Sequence, residues 1–289
     1  MKKFFFSLTI ALFLFVSSYA QVEDRFGYLD DTQISDYVKP LVTTLGTAFN
    51  SASYHSASIP KLWGFGISFN AMIILVPDDQ LTYTPKLPEN YLESGETATI
   101  WGDKGGAFAG PNGFVVFPAG INKSSIPIGY PQISFSTMGT ELLVRYLPKI
   151  DLGETDIGFW GVGISHSISQ YIPLVPVDFA VQVLYNSFSM KDLVDASNIA
   201  FNVHASKSFG LFTGYAGLQY ESSSMDLSYT YTDPNSQNPV SQDFTVSIDG
   251  DNSFRFTLGG TLKLAVVALN FDYSLGSQSV VTSGLSFEF

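Results

Sequence analysis

From residue 61 onward the chain alternates large apolar residues with small or polar ones. Trp63, Phe65, Ile67, Phe69, Ala71 and Ile73 share one parity, and Gly64, Gly66, Ser68 and Asn70 share the other. A period of two held over such a run predicts a strand with two unlike faces. Strands in soluble sheets usually stop at about five or six residues, whereas a tilted membrane crossing takes about nine to eleven. The pattern returns in Trp160, Val162, Ile164 and Ile168, and again in Val177, Phe179, Val181, Val183 and Tyr185. It recurs in Ile199, Phe201 and Val203, in Phe212, Leu218 and Tyr220, in Phe254, Phe256 and Leu258, and in Leu269, Phe271 and Tyr273. Such long strands predict a barrel whose large apolar face points outward into lipid. A soluble ligand-binding barrel would turn that face inward.

Strands near 61–74, 132–137, 139–147, 156–169, 176–188, 198–209, 211–222, 252–263, 264–275 and 279–289 make ten, an even number. Connections at one end are then short: Met138-Gly139, Tyr171 to Pro176, Phe209-Gly210 and Lys263-Leu264. The long connections, 75–131 and 223–251, fall at the other end, which is the asymmetry of single-chain outer-membrane barrels. Residues 223–251 also alternate (Leu227, Tyr229, Tyr231; Phe244, Val246, Ile248). They form either a hairpin above the membrane or two further crossings, for twelve in all. The predicted fold is an all-β, antiparallel up-and-down transmembrane barrel over 61–289, preceded by a helical segment.

That segment, 21–60, carries Ile34, Tyr37, Val38, Leu41, Leu45 and Phe49 at helical spacing behind Asp30 and Asp31. Acids at the start suit capping and the helix dipole. Pro40 inside it is expected to kink or break the helix, and Gly46 to weaken it. A short amphipathic helix on the periplasmic side, or tucked into the barrel mouth, is expected. Residues 1–20 read as a signal peptide, with Lys2 and Lys3, an apolar run from Phe4 to Val16, and Ser18-Tyr19-Ala20 before the expected mature start at Gln21.

Composition narrows the function classes. The chain has no Cys, so a disulfide, a thiolate nucleophile and a lipid-modified Cys are all excluded. Loss of residues 1–20 would remove two lysines and no acids, leaving 12 basic against 26 acidic residues, a net charge of −14. That balance argues against a nucleic-acid partner. Aromatics reach 15% and charged residues only 14%, where about a quarter charged is usual for soluble domains.

The last residues sharpen the picture. Val281, Leu285, Phe287 and Phe289 alternate with Thr282, Gly284, Ser286 and Glu288, and the chain ends on an aromatic. This resembles the terminal strand of bacterial outer-membrane barrels, and the resemblance implies that Phe289 is an insertion signal read by the barrel insertion machinery. Tyr37-Val38-Lys39-Pro40-Leu41, Gly46 to Asn50, Tyr54-His55, Gly64-Phe65, Val76-Pro77-Asp78, Leu147-Pro148-Lys149-Ile150 and Gly161 to Pro176 together resemble an uncharacterised family of exported proteins from Bacteroidota-type bacteria. That family brings no activity and no site residues with it.

Candidate chemistry lies on the inward parity. Glu141, Arg145, Asp178, His204, Glu221, Arg255, Asp272 and Glu288 all carry it, as does Lys263. Charges inside a narrow barrel must be paired or hydrated. They form either a salt-bridged plug or a polar path or small-ligand pocket. His166 shares the outward parity of Ile164 and Ile168, so Ser165-His166-Ser167 points its side chains to opposite faces. Asp249-Gly250-Asp251-Asn252 reads as a tight turn, without the full pattern of a calcium loop. No catalytic residue, metal or cofactor is expected. The expected role is binding or passage of a small solute, hydrophobic ones included, at the outer membrane, gated by the N-terminal segment and the aromatic-rich 75–131 loop. The alternatives are a non-transporting structural or adhesion barrel acting through its outer loops and, remotely, a membrane-embedded hydrolase. Expected surroundings are outer-membrane lipid and lipopolysaccharide.

Overall fold

The computed structural model describes residues 29–87, 95–111, 113–151, 156–172, 175–232 and 241–289. The expected signal peptide and Gln21 lie outside them. One helix, α1 (Asp31–Phe49), precedes the strands. In chain order these are β1 (Gly64–Leu75), β2 (Thr82–Tyr83), β3 (Thr97–Ala98), β4 (Ala107–Gly110), β5 (Gly113–Val116), β6 (Ser125–Thr137), β7 (Thr140–Asp151) and β8 (Asp156–Ser167). There follow β9 (Asp178–Met190), β10 (Val194–Phe209), β11 (Phe212–Thr232), β12 (Ser241–Asp249), β13 (Phe254–Leu264), β14 (Val267–Leu275) and β15 (Ser279–Glu288).

Ten of these strands close into an antiparallel barrel. Each pairs with the next along the chain, from β1 through β6–β11 and β13–β15, and β15 returns to β1 through a ladder from Gly66↔Glu288 to Leu75↔Ser279. The expected outward apolar face is present: Phe65, Phe69 and Ile73 on β1, and Phe254, Phe256 and Leu258 on β13, are all exposed. Exposed aromatics gather near both ends of the wall, Tyr146, Trp160, Tyr185, Tyr220 and Phe254 at one and Trp63, Phe135, Tyr171 and Phe212 at the other. Such girdles flank the apolar band of membrane barrels.

The strand count settles at ten. β11 runs for 21 residues; its first part pairs with β10 and β13, and its last part, Ser224 to Thr232, pairs with β12. The β11–β12 hairpin therefore extends the wall instead of adding crossings. The largest departure from the pattern is β6. It starts at Ser125, seven residues before the expected 132, so the long connection is 76–124. Pro127 and Pro131 hide this strand by removing backbone donors. A proline survives in a sheet only where its missing N–H faces an unpaired edge, and β6 has such an edge. The β6–β7 turn is Met138-Gly139, both left-handed (φ 52° and 70°), the two-residue type whose twist matches a hairpin.

The core lies inside the barrel, around α1. Asp30 caps the helix: its carboxylate accepts from Gln33 N–H at 2.9 Å, and Gln33 Oε1 accepts from Asp30 N–H at 3.1 Å. From Pro40 to Phe49 every residue is buried, which is the signature of a helix enclosed on all sides. It lies deeper than a helix resting in the barrel mouth. The expected break at Pro40 does not occur, and α1 runs through it. Thr44 Oγ1, one turn further along α1, and Gln278 Nε2, from the β14–β15 connection, both donate to Pro40 O, at 2.8 and 3.2 Å. Gly46 marks the closest approach to the wall: a Cβ there would stand 2.5 Å from Ser223 Cβ and 2.6 Å from Asn252 Oδ1.

Candidate functional site

The N-terminal segment threads the lumen from end to end. Tyr37 Oη donates to Ala119 O at 2.9 Å, within the long connection. At the opposite end, the N–H groups of Met138 and Gly139 donate to Lys61 O and Pro60 O at 2.9 and 3.1 Å. Residues 30–61 thus form a plug with two surroundings, apolar in its upper half and polar in its lower half.

Around the upper half, α1 packs against inward residues of β1, β6 and β8–β12, including Met72, Tyr130, Phe159, Phe188 and Met225. Phe49 stacks on Phe159 (4.4 Å between centroids) and on Phe188 (5.6 Å). The packing is incomplete. A chamber remains between Leu41, Leu45 and Phe49 on α1 and the wall at Tyr130, Leu147, Phe159, Phe188, Met190 and Met225. Its cavity volume is about 50 Å³, several times the roughly 10–15 Å³ that one water needs. Its lining is almost wholly apolar, and apolar cavities stay dry and take apolar guests.

Below the chamber the plug loses its helix and the wall turns polar. Arg145 is completely buried and faces the end of α1. Its Nη1 donates to Phe49 O at 2.5 Å and Asn186 Oδ1 at 3.2 Å, its Nη2 to Ser51 O at 2.9 Å, and its Nε to Gln132 Oε1 at 3.0 Å. The guanidinium also lies 4.8 Å from the Tyr130 ring centroid. A cation at a helix C-terminus meets the negative end of the dipole. Arg255 pairs with Glu221 at 2.8 Å, both nearly without solvent, and also donates to Ser51 Oγ. Gln182 and Gln219 donate to Ser53 O and Asn50 O at 3.0 and 3.1 Å.

The eight inward residues of the sequence pattern therefore divide. Arg145, His204, Glu221, Arg255 and Asp272 are buried in the wall around residues 49–57. His204 stacks on Tyr54 at 4.1 Å, and Asp272 accepts from Tyr215 Oη at 3.0 Å. Glu141, Asp178 and Glu288 stand at the short-turn end and are only partly buried. Phe289 is exposed at the β15 terminus, and its backbone exchanges hydrogen bonds with Phe65. Ser165 and Ser167 are buried inside the barrel, whereas His166 lies across the wall, on Thr140 Oγ1 (2.8 Å), Gln170 Nε2 (2.9 Å) and Tyr171 Oη (3.0 Å). The tripeptide forms no Ser–His pair. Asp249 to Asn252 is a turn seated on α1: Asp251 N–H donates to Thr43 Oγ1 at 2.9 Å, and Lys39 pairs with Asp251 at 2.6 Å.

The whole chain, residues 1–289, matches a family described only as of unknown function, DUF6588. The chain belongs to that family. Comparison with curated proteins finds no match. Among solved structures it is similar to a loop-deletion form of OmpT, an outer-membrane protein of Vibrio cholerae, at 8% identity and TM-score 0.28 over 80% of this chain and 99% of that one. It is also similar to the translocator domain of the autotransporter NalP from Neisseria meningitidis, at 10% identity and TM-score 0.30 over 90% and 99%. The toluene transporter TbuX of Ralstonia pickettii matches at 8% identity and TM-score 0.22 over 81% and 90%. These are likenesses of barrel architecture alone.

Several residues that hold this family member's plug were not singled out by sequence: Tyr130, Asn186, Gln182, Gln219 and Ser51. Several of their partners are plug carbonyls, which leave no mark in a sequence. The lower anchor is different, because it titrates. His55 Nε2 lies 2.6 Å from Glu288 Oε1, and Lys263 Nζ pairs with the other carboxylate oxygen. Burial pulls the His55 pKa down, but the Glu288 hydrogen bond and charge, with help from Glu141 and against Lys263, leave it above the ordinary imidazole value. A raised folded-state pKa gives stability that is full below the unfolded value, about 6.5, and is lost as pH rises through the folded value. The urea midpoint of the native protein in micelles should therefore exceed that of His55→Gln most at pH 5–6. The gap should shrink by pH 9. A gap that is constant with pH would show that His55 anchors the plug without its charge.

Proposed function

We propose that this protein is an outer-membrane barrel that binds and passes a small hydrophobic solute. The observation that supports the reading is the apolar chamber beside α1. It is bounded by a helix that is a separate piece of the fold, not a barrel strand. A barrel serving only as a scaffold gains from filling such a space, because unfilled apolar volume costs about 24 cal/mol per Å³ in well-studied cores. The polar belt beneath it, with Arg145 on plug carbonyls and the Glu221–Arg255 pair on the Ser51 hydroxyl, closes the lumen to ions while leaving the upper half apolar. The chamber suits an uncharged aromatic ring or a short alkyl segment.

The test uses an uncharged fluorescent probe, N-phenyl-1-naphthylamine, with the protein in phosphatidylcholine nanodiscs. The native chain should give saturable binding above the empty-disc background, and Leu45→Trp, which fills the chamber, should abolish it. Overpacking costs about 1–3 kcal/mol, so heat-modifiable gel migration confirms that the variant is folded. Equal saturable signal from native and filled chains would overturn the reading.

A further inference from the structure

The barrel wall is not equally closed all round. β6 pairs with β1 over its whole upper length, to Leu75↔Ser125, but pairs with β7 only from Gln132↔Arg145 down to Thr137↔Thr140. These six rungs are the fewest of any neighbouring pair in the barrel; the others have eight to sixteen. Above them, residues 125–131 of β6 and 146–151 of β7 run past each other unpaired. β7 also loses register with β8 between Leu147 and Ile150, at Pro148.

Unpaired backbone is costly in hydrocarbon, where no water can satisfy it. Two features lower that cost here. Pro127, Pro131 and Pro148 carry no N–H to leave unpaired. The seam also begins at the rung of Tyr146, which pairs with Trp160, two exposed rings of the upper aromatic girdle. It therefore opens where hydrocarbon gives way to headgroups and water.

The same residues form the lips of the seam and the wall of the chamber. Pro127, Ile128, Gly129 and Tyr130 line the chamber from one side, and Leu147 and Ile150 from the other. Outside the seam stand the exposed apolar side chains of Phe69, Ile73 and Ile133. We infer that the β6–β7 seam is a lateral portal, through which an apolar molecule dissolved in the bilayer exchanges with the chamber without passing through the outer mouth. The route suits a hydrophobic guest. It spares the guest the water beyond the outer mouth, where described residues of the 76–124 connection pack on α1 through Tyr37 and Trp101. This inference rests on the chamber being a solute site, and its test separates the two.

Because the chain has no cysteine, a pair at Pro131→Cys and Tyr146→Cys can be placed one rung beyond the last pairing and closed by oxidation or with a short bis-maleimide. In nanodiscs, the N-phenyl-1-naphthylamine probe then reports two quantities, the amplitude of saturable binding and the rate of exchange after dilution into empty discs. Closing the seam should leave the amplitude at its native level and slow exchange about tenfold or more, and reduction of the oxidised pair should restore the rate. An unchanged rate in the closed protein would overturn the portal while leaving the chamber as the binding site. Absence of saturable binding in the native protein would overturn the chamber, and the portal with it. Slowed exchange through a closed seam together with binding of phosphatidylcholine acyl chains, detected by mass spectrometry of the intact complex, would keep the portal and identify the guest as membrane lipid.

Discussion

A chain lacking residues 30–59 should conduct ions in steady steps across a planar bilayer, where the intact protein is silent. The plug fills the lumen, and described residues of the 76–124 connection pack on α1 above it. Residues 40–50 are buried without exception, and the wall donates to the plug's backbone from β6, β7, β9 and β11. Once the plug is gone, those donors face water. The wall should persist, because its ladder closes on itself and leaves unpaired only the upper stretch between β6 and β7. Ten strands give a bore between the side-chain-filled eight-strand barrel and the open porins. The inward acids Glu141, Asp178, Glu221, Asp272 and Glu288 outnumber Arg145, Arg255 and Lys263, so the open lumen should favour cations. Stability should fall as well, since Ile34, Val38, Leu41 and Val42 take their share of the upper core with them. Heat-modifiable migration on a gel checks that the truncated barrel has formed. A folded, truncated barrel that stays silent would place the barrier in the 76–124 connection. An intact protein that conducts as well as the truncated one would show that the plug leaves its seat.

The sequence made some of this legible and hid the rest, for physical reasons. Strands such as β1, β10 and β13 were readable because lipid and lumen make opposite demands on alternate residues, and a parity pattern records both. β6 was readable only in its lower half. Above Gln132 its second edge is free, so Pro127 and Pro131 were admitted, and two prolines four positions apart read as loop. β11 was readable as two pieces, because the same alternation serves a membrane wall and the hairpin above it. α1 showed its period and its acidic cap. Its depth inside the barrel did not show, since a lumen that is apolar above and polar below asks for no single face. The inward charges were found by parity alone. Their grouping was not, because Arg145 answers to plug carbonyls and wall amides and Arg255 to the Ser51 hydroxyl, with only Glu221 as a charged partner.

Arg145 is where the loss of a single side chain should be felt most. It is fully buried, and its hydrogen-bond partners are all neutral: two carbonyls at the end of α1, Gln132 and Asn186, with the Tyr130 ring beside the guanidinium. Buried charges are commonly held by an opposite charge, and here that place is taken by the negative end of a helix. Arg145→Ala leaves no buried charge behind but strands several neutral acceptors, each costing about 1–3 kcal/mol when left buried and unpaired, so the loss should be several kcal/mol in all. The Tyr130 hydroxyl still reaches Ala48 O and Ser51 O at 3.1 and 2.8 Å, so the helix end should loosen without leaving the lumen. The visible result should be a large drop in the urea midpoint with brief conductance bursts in the bilayer, in place of the steady steps of the truncated chain. Arg145→Lys keeps the charge but loses the planar fork that spans Phe49 O and Ser51 O together, so it should recover only part of the stability. Full recovery by Lys would show that the charge alone matters. No loss in the Ala variant, with the native gel shift retained, would mean that the plug is seated from above by its apolar packing and that the polar belt only lines its path.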